Sequence, residues 1–443
     1  MQNLQNHEFR QRREQLMQRI GKGAAVFRSA PMAVMHNDVE YNFRQDSDFF
    51  YLTGFDEPRA VAVLAPQHEE HKFVLFVQPK DPDAETWVGY RVGVDAAKER
   101  FGADAVFPIE ELDEKLPEYV KDADRIFYHL GRDRGFNDKV LRIWQNLMRT
   151  YPKRGTGPIA IEDPAPVLHS MRQVKSVAEL EQMRQAAAIA VEAHQRALHF
   201  ARPGKFEYQV QAELEHTFRL QGALGPAYPS IVASGANSCI LHYTENTKEL
   251  HDGDLLLIDA GCAYGYYNSD ITRTFPVNGR FSEEQRILYE IVLEAQKQAI
   301  AQIVPGNPYN QIHDTAVSVI VDGLMELGLL QGDKEEIIKE EKYKPFYMHR
   351  TGHWLGLDVH DVGVYQHGET PHNLEPGQVT TVEPGIYIKP DIKPAEGQPE
   401  VPERWLGIGI RIEDDVLVTP EGYDVLTAGV PKEVADLEAA TQS

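Results

Sequence analysis

Two aspartates lie in a segment whose sequence otherwise predicts buried β-strands. Asp259 follows the apolar run 255–258, and Asp270 lies within a second predicted strand, 266–275. Aspartate is depleted in strands, and burial of an unpaired carboxylate is costly. Two interpretations follow: the pair are ordinary strand-end or turn residues, or both side chains point into one pocket and share cations.

Three further candidate ligands follow strand-like or glycine-rich segments later in the chain. His353 stands four residues after His349 in MHRTGHWLG, where the glycines indicate a loop and the helical zinc motif's glutamate is missing. Glu383 directly follows a predicted strand. A strictly alternating run places Arg411 and Glu413 on the same face of another strand.

Gathered in one place, these side chains would form a site for cations. Four carboxylates close together repel one another, and positive charge is needed to hold them there. A carboxylate-rich set with one imidazole suits a pair of Mn, Co, Fe or Zn ions rather than a thiolate zinc site. Such a pair activates a shared water molecule for hydrolysis. Spacing alone leaves open that each residue is an ordinary solvated or hydrogen-bonded polar group.

Two similar groups of elements must position these residues. A capping box at Ser176 and Glu179 opens the first of four predicted helices. The sequences Pro203-Gly204 and Pro305-Gly306 each end one helix and precede another, and strands follow both helix pairs. The predicted helices span 177–200, 207–221, 283–303 and 309–328. We therefore predict an internal structural repeat, with a site in the cleft between its halves.

The first third of the chain predicts a small α/β domain without a catalytic set of residues. A charged helix over 1–20 is expected on the surface, and strands alternate with helical patterns up to about residue 150. Trp87 is placed in a polar loop, where it either packs partially or reaches a binding site or partner. The stretch 151–166 is rich in proline and glycine and is interpreted as a linker.

Composition restricts the class of protein. The chain has 443 residues, and its net charge of -23 argues against a nucleic-acid or anionic-membrane binder. The 2 cysteines are too few for a disulfide framework, which favours a reducing compartment. No apolar signal core or membrane-spanning run is found. A cytoplasmic enzyme is expected.

Four motifs follow one another in the order IDAGCAYGYYNSDITRTFP, HRTGHWLGLDVHDVG, TVEPGIY and GIRIEDDVLV. Together they resemble the motifs of the "pita-bread" metallopeptidases, which include methionine aminopeptidase, prolidase and Xaa-Pro aminopeptidase. The segment DSDFFYLTGFDEPRAV resembles the N-terminal domain of bacterial-type aminopeptidase P. The implied fold is α+β: a small α/β domain at 1–172, a pita-bread catalytic domain of two pseudo-symmetric helix-pair and antiparallel-sheet halves at 173–432, and a C-terminal tail at 433–443.

The resemblance implies roles for particular residues. The two metals, most naturally Mn2+ with Co2+ or Zn2+ as alternatives, would be held by the five candidate ligands: Asp259 and His353 binding one metal each, Glu383 beside the nucleophilic water, and Asp270 and Glu413 bridging. His242 and His360 would steady the substrate carbonyl and the developing oxyanion. His349 would line the pocket, Arg411 would orient a bridging carboxylate, and Trp87 would cover the substrate of a neighbouring subunit.

The implied activity is release of the N-terminal residue from peptides with proline in second position, through a hydroxide that bridges the metals. The implied assembly is a homo-oligomer, a dimer or tetramer. Prolidase, which cleaves only Xaa-Pro dipeptides, shares the ligands and domain plan and is the alternative. Methionine aminopeptidase is disfavoured by the large N-terminal domain. A metal-free pita-bread protein, such as a creatinase-like hydrolase or a binding module, is disfavoured by the complete ligand set.

Overall fold

The computed structural model describes residues 6–442. The chain divides into two compact units, Met1–Arg172 and Gln173–Ser443. Both units contain helices and strands, and in the second unit helix pairs are followed by antiparallel sheets, as expected for the predicted α+β class. Among the described residues, no helix combines the length and apolar character that crossing a membrane requires.

The first unit is built on a six-stranded mixed sheet in the order β6-β5-β4-β1-β7-β8. Its strands, with a separate small hairpin of β2 and β3, are β1 (Ala24–Arg28), β2 (Val34–His36), β3 (Val39–Glu40), β4 (Val61–Leu64), β5 (Phe73–Val77), β6 (Ala105–Pro108), β7 (Arg125–Phe127) and β8 (Ala160–Glu162). Its helices are α1 (Asn6–Ile20), α2 (Ser47–Thr53), α3 (Pro82–Val88), α4 (Gly93–Phe101), α5 (Leu112–Val120), α6 (Arg134–Arg154) and α7 (Ala165–Gln173), with a 3-10 turn at Ile109–Glu111. The predicted small α/β domain is confirmed.

Burial explains why the central strands form. Every residue of β4 and β5 is buried, so these apolar runs lie inside the sheet with both faces covered. The Asp46 side chain caps α2 by accepting a hydrogen bond from the Phe49 amide at 2.9 Å. Gly54 ends the helix in the left-handed conformation, with φ of 65°.

Two local predictions in this unit are wrong, and the surface position predicted for the first helix holds for only part of its charged residues. The segment 151–166 is not a linker, because it completes α6, supplies edge strand β8 and begins α7. Trp87 lies in helix α3 rather than a loop, and its side chain is 88% exposed instead of partly packed. The charged face of α1 is partly internal, since the buried guanidinium groups of Arg12 and Arg13 donate to the carbonyls of Tyr51 and Leu52.

The second unit contains six helices, thirteen strands and two 3-10 turns within its described residues. The helices are α8 (Val177–Phe200), α9 (Glu207–Leu220), α10 (Glu283–Ile300), α11 (Asn310–Glu326), α12 (Lys334–Lys339) and α13 (Val434–Gln442), and the 3-10 turns are Gly235–Cys239 and Glu403–Trp405. The strands are β9 (Gly225–Pro226), β10 (Ile231–Ser234), β11 (Leu255–Asp259), β12 (Cys262–Tyr264), β13 (Tyr267–Asn268), β14 (Thr272–Pro276), β15 (Gln366–His367), β16 (Thr370–Pro371), β17 (Val379–Val382), β18 (Gly385–Ile388), β19 (Ile408–Arg411), β20 (Asp414–Thr419) and β21 (Gly422–Val425).

Two helix pairs are each followed by an antiparallel three-stranded sheet. Helices α8 and α9 precede the sheet β10-β11-β14, and helices α10 and α11 precede the sheet β17-β20-β21. An isolated bridge between Thr272 and Glu413 connects the two halves. Residues from both halves, including Leu256, Val292 and Ile410, lie in one apolar core. The predicted pair of helix-and-sheet halves is confirmed.

The second predicted strand is interrupted at Asp270, one of the candidate metal ligands. The strand expected over 266–275 is divided into β13 and β14, and Asp270 occupies the break. Gly261 permits this arrangement, because a Cβ atom there would lie 1.7 Å from the Ser269 carbonyl oxygen. The segment predicted as a C-terminal tail forms helix α13, with Leu437 buried in the apolar core.

Candidate active site

Two strand ends bring Asp259 and Asp270 together. Asp259 is the last residue of β11, and Asp270 stands two residues before its antiparallel neighbour β14. The Tyr228 hydroxyl lies between their carboxylates, contacting Asp259 Oδ1 at 2.6 Å and also Asp270 Oδ1. Both aspartates therefore face the same pocket, as the second of the two sequence interpretations requires.

The opposite half contributes an imidazole and a second carboxylate. Ligand atoms of Asp270, His353 and Glu413 all lie within 4.8 Å of one another, a grouping able to hold a metal ion. Glu413 follows β19, and its Oε2 accepts a hydrogen bond from the Thr272 hydroxyl at 2.6 Å. Glu383, directly after β17, lies with Oε1 3.8 Å from His353 Nε2. All five predicted ligands are thus brought to one site.

The orientation of His353 suits metal binding. Its Nδ1 lies 3.0 Å from the Trp354 carbonyl, which requires a proton on Nδ1. Its Nε2 is directed at Asp270 Oδ2, at 3.4 Å. A backbone carbonyl that fixes one ring nitrogen leaves the other with a lone pair for a metal.

A buried arginine supports the carboxylates from behind. Arg411 Nη2 donates to Asp259 Oδ2 at 2.7 Å, and its Nε donates to the Thr272 hydroxyl at 3.2 Å. Its Nη1 donates to the Tyr387 hydroxyl at 3.0 Å. Arg411 therefore contacts Asp259 directly, and not Asp270 or Glu413, the two residues implied to bridge the metals. The Thr272 hydroxyl links Arg411 to Glu413.

Crowded carboxyl groups have raised pKa values. Burial and the charge of Asp259 raise the pKa of Asp270, although the hydrogen bond with His353 opposes the rise. Burial and the charge of Asp270 raise the pKa of Glu383 to about 7. Burial and the neighbouring carboxylates raise the pKa of Glu413 well above its usual range. The site carries more negative charge than Arg411 balances, and divalent cations would supply the difference.

The three additional histidines surround this cluster. Burial and the charge of Arg411 lower the pKa of His349 to about 3, and both its ring nitrogens are occupied, by the Arg350 carbonyl at 2.7 Å and the Tyr387 hydroxyl at 2.8 Å. His360 packs edge-on against His353, with ring centroids 4.4 Å apart. His242 is exposed and lies near enough to His349 and His360 to interact with both electrostatically.

Sequence reasoning missed two side chains of the site. Tyr228 and Thr272 connect the predicted ligands to one another through hydroxyl groups. Nothing near Tyr228 in the sequence indicates this role, since Asp259 lies 31 positions away. Thr272 alternates with Asp270 in the segment leading into β14, and that spacing could have indicated a shared face. Trp87 belongs to the other compact unit.

Fold and site together define a metal-dependent hydrolase with a carboxylate-rich donor set, and known proteins agree. The family model for metallopeptidase family M24 matches residues 181–420, and that for the aminopeptidase P N-terminal domain matches residues 9–128. Xaa-Pro aminopeptidase of Escherichia coli is 44% identical over 442 residues, covering 99% of this chain and 98% of that protein.

Solved structures agree over the whole chain. Pseudomonas aeruginosa aminopeptidase PepP has a TM-score of 0.95 at 49% identity, covering 100% of this chain and 99% of that one. Zinc-substituted E. coli aminopeptidase P in complex with product has a TM-score of 0.94 at 43% identity, covering 99% of each chain. The chain therefore belongs to metallopeptidase family M24. The predicted relationship to aminopeptidase P and the pita-bread fold are confirmed.

Proposed function

We propose that this protein is a Xaa-Pro aminopeptidase, which releases the N-terminal residue from peptides with proline in second position. The observation that carries the proposal is the cluster of Asp270, His353 and Glu413, with Glu383 and Asp259 beside it, in a family M24 catalytic domain. The aminopeptidase P N-terminal domain and the full-length similarity to a Xaa-Pro aminopeptidase favour this activity over that of a prolidase.

Two divalent ions fit the donor set. Asp259 would bind one ion, His353 the other, and Asp270 and Glu413 would lie between them. The raised pKa values of Asp270 and Glu413 support this assignment, because burial and neighbouring carboxylates disfavour their charged forms and nearby positive charge would favour them. We propose Mn2+ as the working metal, with Co2+ and Zn2+ as alternatives; a relative from E. coli has been solved in zinc-substituted form.

The chain's own residues account for the proton transfers. Divalent ions held by these residues would supply a hydroxide nucleophile near neutral pH and would polarise the scissile carbonyl. Glu383, within 3.8 Å of His353, accepts the proton of the attacking water and delivers it to the leaving nitrogen. That nitrogen belongs to a proline, which has no N–H of its own, so the site needs a proton donor there and no acceptor.

Neighbouring side chains orient the substrate. His360 and the exposed His242 donate hydrogen bonds to the scissile carbonyl as negative charge develops on its oxygen. His349 Nε2 accepts a hydrogen bond from the Tyr387 hydroxyl at 2.8 Å. His349 lines the pocket, and its lowered pKa means that it does not titrate near neutral pH. Arg411 holds the Asp259 carboxylate through its bond of 2.7 Å.

The N-terminal unit is proposed to restrict substrate access and to support a homo-oligomer. Helix α3 exposes Trp87, Val88 and the following Tyr90, which are 88%, 73% and 93% exposed, and such apolar groups favour a protein interface. We propose that Trp87 covers the substrate of a neighbouring copy. A cytoplasmic location is also proposed, because the two cysteines, Cys239 and Cys262, are free and buried.

Peptide cleavage followed by mass spectrometry tests the activity. The manganese-loaded enzyme is offered a synthetic peptide that begins Arg-Pro-Pro, its Arg-Ala-Pro counterpart, its N-acetylated form and the dipeptide Arg-Pro. We expect loss of one arginine from the first peptide and a kcat/KM at least about tenfold lower for the alanine peptide, roughly 1.4 kcal/mol of transition-state binding. The N-acetylated peptide should be a poor substrate, because the acidic site holds the free amino group that acetylation removes. Cleavage confined to the dipeptide would indicate a prolidase instead.

A further inference from the structure

The His360 imidazole depends on its loop for its position. Within residues 6–442, no hydrogen bond holds either of its ring nitrogens, and its ring contact is the edge-on packing against His353 at 4.4 Å. A group that must meet a developing charge needs a fixed position to be effective. The loop backbone that carries His360 must therefore supply that position.

A buried ion pair fastens this loop immediately beside His360. Lys175 Nζ lies 3.1 Å from Asp361 Oδ2, and both side chains are only 1% exposed. The Asp361 amide donates to the Trp354 carbonyl at 2.8 Å, which closes the loop onto the residue after His353. Gly356 leaves room for the pair, because a Cβ atom there would lie 2.2 Å from Asp361 Oδ2.

Two other polar side chains hold the ends of the same loop. The Asn268 amide nitrogen donates to the carbonyls of Gly356 and Leu357 at 3.0 and 2.9 Å, and Asn268 lies two residues before Asp270. Gln173 exchanges two hydrogen bonds of 3.3 Å with the backbone of Val364. These hydrogen bonds hold the loop to the segment around Asp270 at one end and to the segment around Lys175 at the other.

We propose that the buried pair of Lys175 and Asp361 is a positioning device for His360. Burial of two charges costs desolvation that their attraction repays only in good geometry, and well-packed apolar residues often stabilise a fold as well or better. A directional pair, unlike apolar packing, fixes the Asp361 carboxylate and with it the backbone of the adjacent histidine. The inference rests on the proposed role of His360 in turnover.

A double-mutant cycle tests the coupling between Lys175 and His360. We expect Lys175→Met to lower kcat about tenfold or more with little change in KM, while elemental analysis finds the wild-type metal content. In a His360→Ala background, the same change should lower kcat by less than about twofold, because the group that it positions is gone. A crystal structure of Lys175→Met should show the His360 ring displaced from its contact with His353.

A matched control and a repacked variant separate positioning from stability. Lys248→Met removes a less buried pair with Asp254, also 3.1 Å long, and should leave kcat within twofold of wild type. If Lys175→Met does not fold, the variant Lys175→Met/Asp361→Leu replaces it in the same cycle. This double variant should regain an unfolding midpoint near wild type while its kcat stays low.

The outcomes distinguish this inference from the proposed function. Equal losses of kcat in both backgrounds, or a kcat that recovers in the repacked variant, would overturn the positioning role and leave the proposed function intact. A wild-type kcat for His360→Ala alone would show that the role assigned to His360 is wrong, and the inference would fall with it.

Discussion

Arg273 joins the two halves of the catalytic unit by hydrogen bonds to both. Its side chain, only 1% exposed, forms an ion pair with Asp414 at 2.7 Å. Its Nη1 donates to the backbone carbonyls of Thr272 at 3.0 Å and Glu413 at 2.6 Å. Two more bonds reach carbonyls in the connection to α13. We expect Arg273→Met, which keeps most of the side-chain volume, to weaken this unit strongly.

The magnitude follows from what the substitution leaves behind. Breaking a buried ion pair by removing one partner costs about 3–5 kcal/mol, because the remaining charge stays buried. Lys432 also pairs with Asp414, at 2.7 Å, so the lower part of that range applies. With a urea m-value of roughly 3 kcal/mol/M, a loss of about 3 kcal/mol lowers the urea midpoint by about 1 M.

The loss of stability in the same variant should be largest near neutral pH and should shrink in acid. Burial alone would raise the pKa of Asp414, but the charges of Arg273 and Lys432 lower it to about 2. A folded pKa below the unfolded value of about 3.9 contributes stability that is full above pH 4 and is lost as pH falls through 2. Without Arg273 this pKa rises, so less of that stability exists near neutral pH.

Urea unfolding of the chelator-treated protein measures the loss. Trp354 and Trp405 are buried in the catalytic unit, and their fluorescence follows its unfolding. Arg184→Met is the matched control, because it removes an exposed pair with Asp424, whose side chains are 50% and 42% exposed. Exposed pairs contribute about 0–1 kcal/mol. If Arg273→Met shifts the midpoint no more than Arg184→Met, the account of Arg273 is wrong.

Three further predictions concern metal binding, turnover and pH. Asp270→Asn should bind fewer than two metals per chain by elemental analysis, because a neutral amide replaces a bridging carboxylate; a full complement would contradict the assignment. His360→Ala should keep its metals and lose about 10²–10³ in kcat by steady-state assay, since one transition-state hydrogen bond is removed, and a normal kcat would refute its role. Burial opposes ionisation of Asp48, but two histidine hydrogen bonds and the charge of Arg172 hold its pKa well below the usual value. The stability that the ionised Asp48 contributes is full above about pH 4 and is lost as pH falls through its folded pKa. Asp48→Asn should therefore lower the urea midpoint more at pH 7 than at pH 3. Equal shifts at the two pH values would contradict this prediction.

The five candidate metal ligands could be selected from the sequence, because their residue types are unusual at these positions and the family motifs contain all five, although spacing alone left an ordinary polar role open. Aspartate at the end of an apolar strand and glutamate directly after another are costly unless something binds them. The helices of the catalytic unit were equally accessible, since the capping box at Ser176 and the breaks at Pro203 and Pro305 are local signals that the structure confirms.

The errors arose where tertiary pairing outweighs local composition. Strand β8 exists because it pairs in parallel with β7, and its glycine- and proline-rich surroundings carry no sign of that partner. The helix around Trp87 had a usable signal that was overlooked: Asp81 caps it and Pro82 occupies its first turn. The break in the strand at Asp270 depends on the Gly261 backbone approaching Ser269.

The side chains that support the site and the catalytic unit could not be identified from the local sequence. Tyr228, Arg273 and Lys175 contact aspartates that lie 42, 141 and 186 positions away in the sequence. Arginine, lysine and tyrosine are common on protein surfaces, so residue type alone did not separate these from exposed ones. Only the fold reveals that they are buried and paired.

Anomalous diffraction from crystals soaked in manganese tests the central claim most directly. The account predicts two peaks about 3.5–4 Å apart, the separation common to two-metal hydrolases. Both should lie among the carboxylates of Asp259, Asp270, Glu383 and Glu413, with His353 Nε2 touching one of them. A single peak, or peaks bound by other residues, would contradict the two-metal site on which the proposed activity depends.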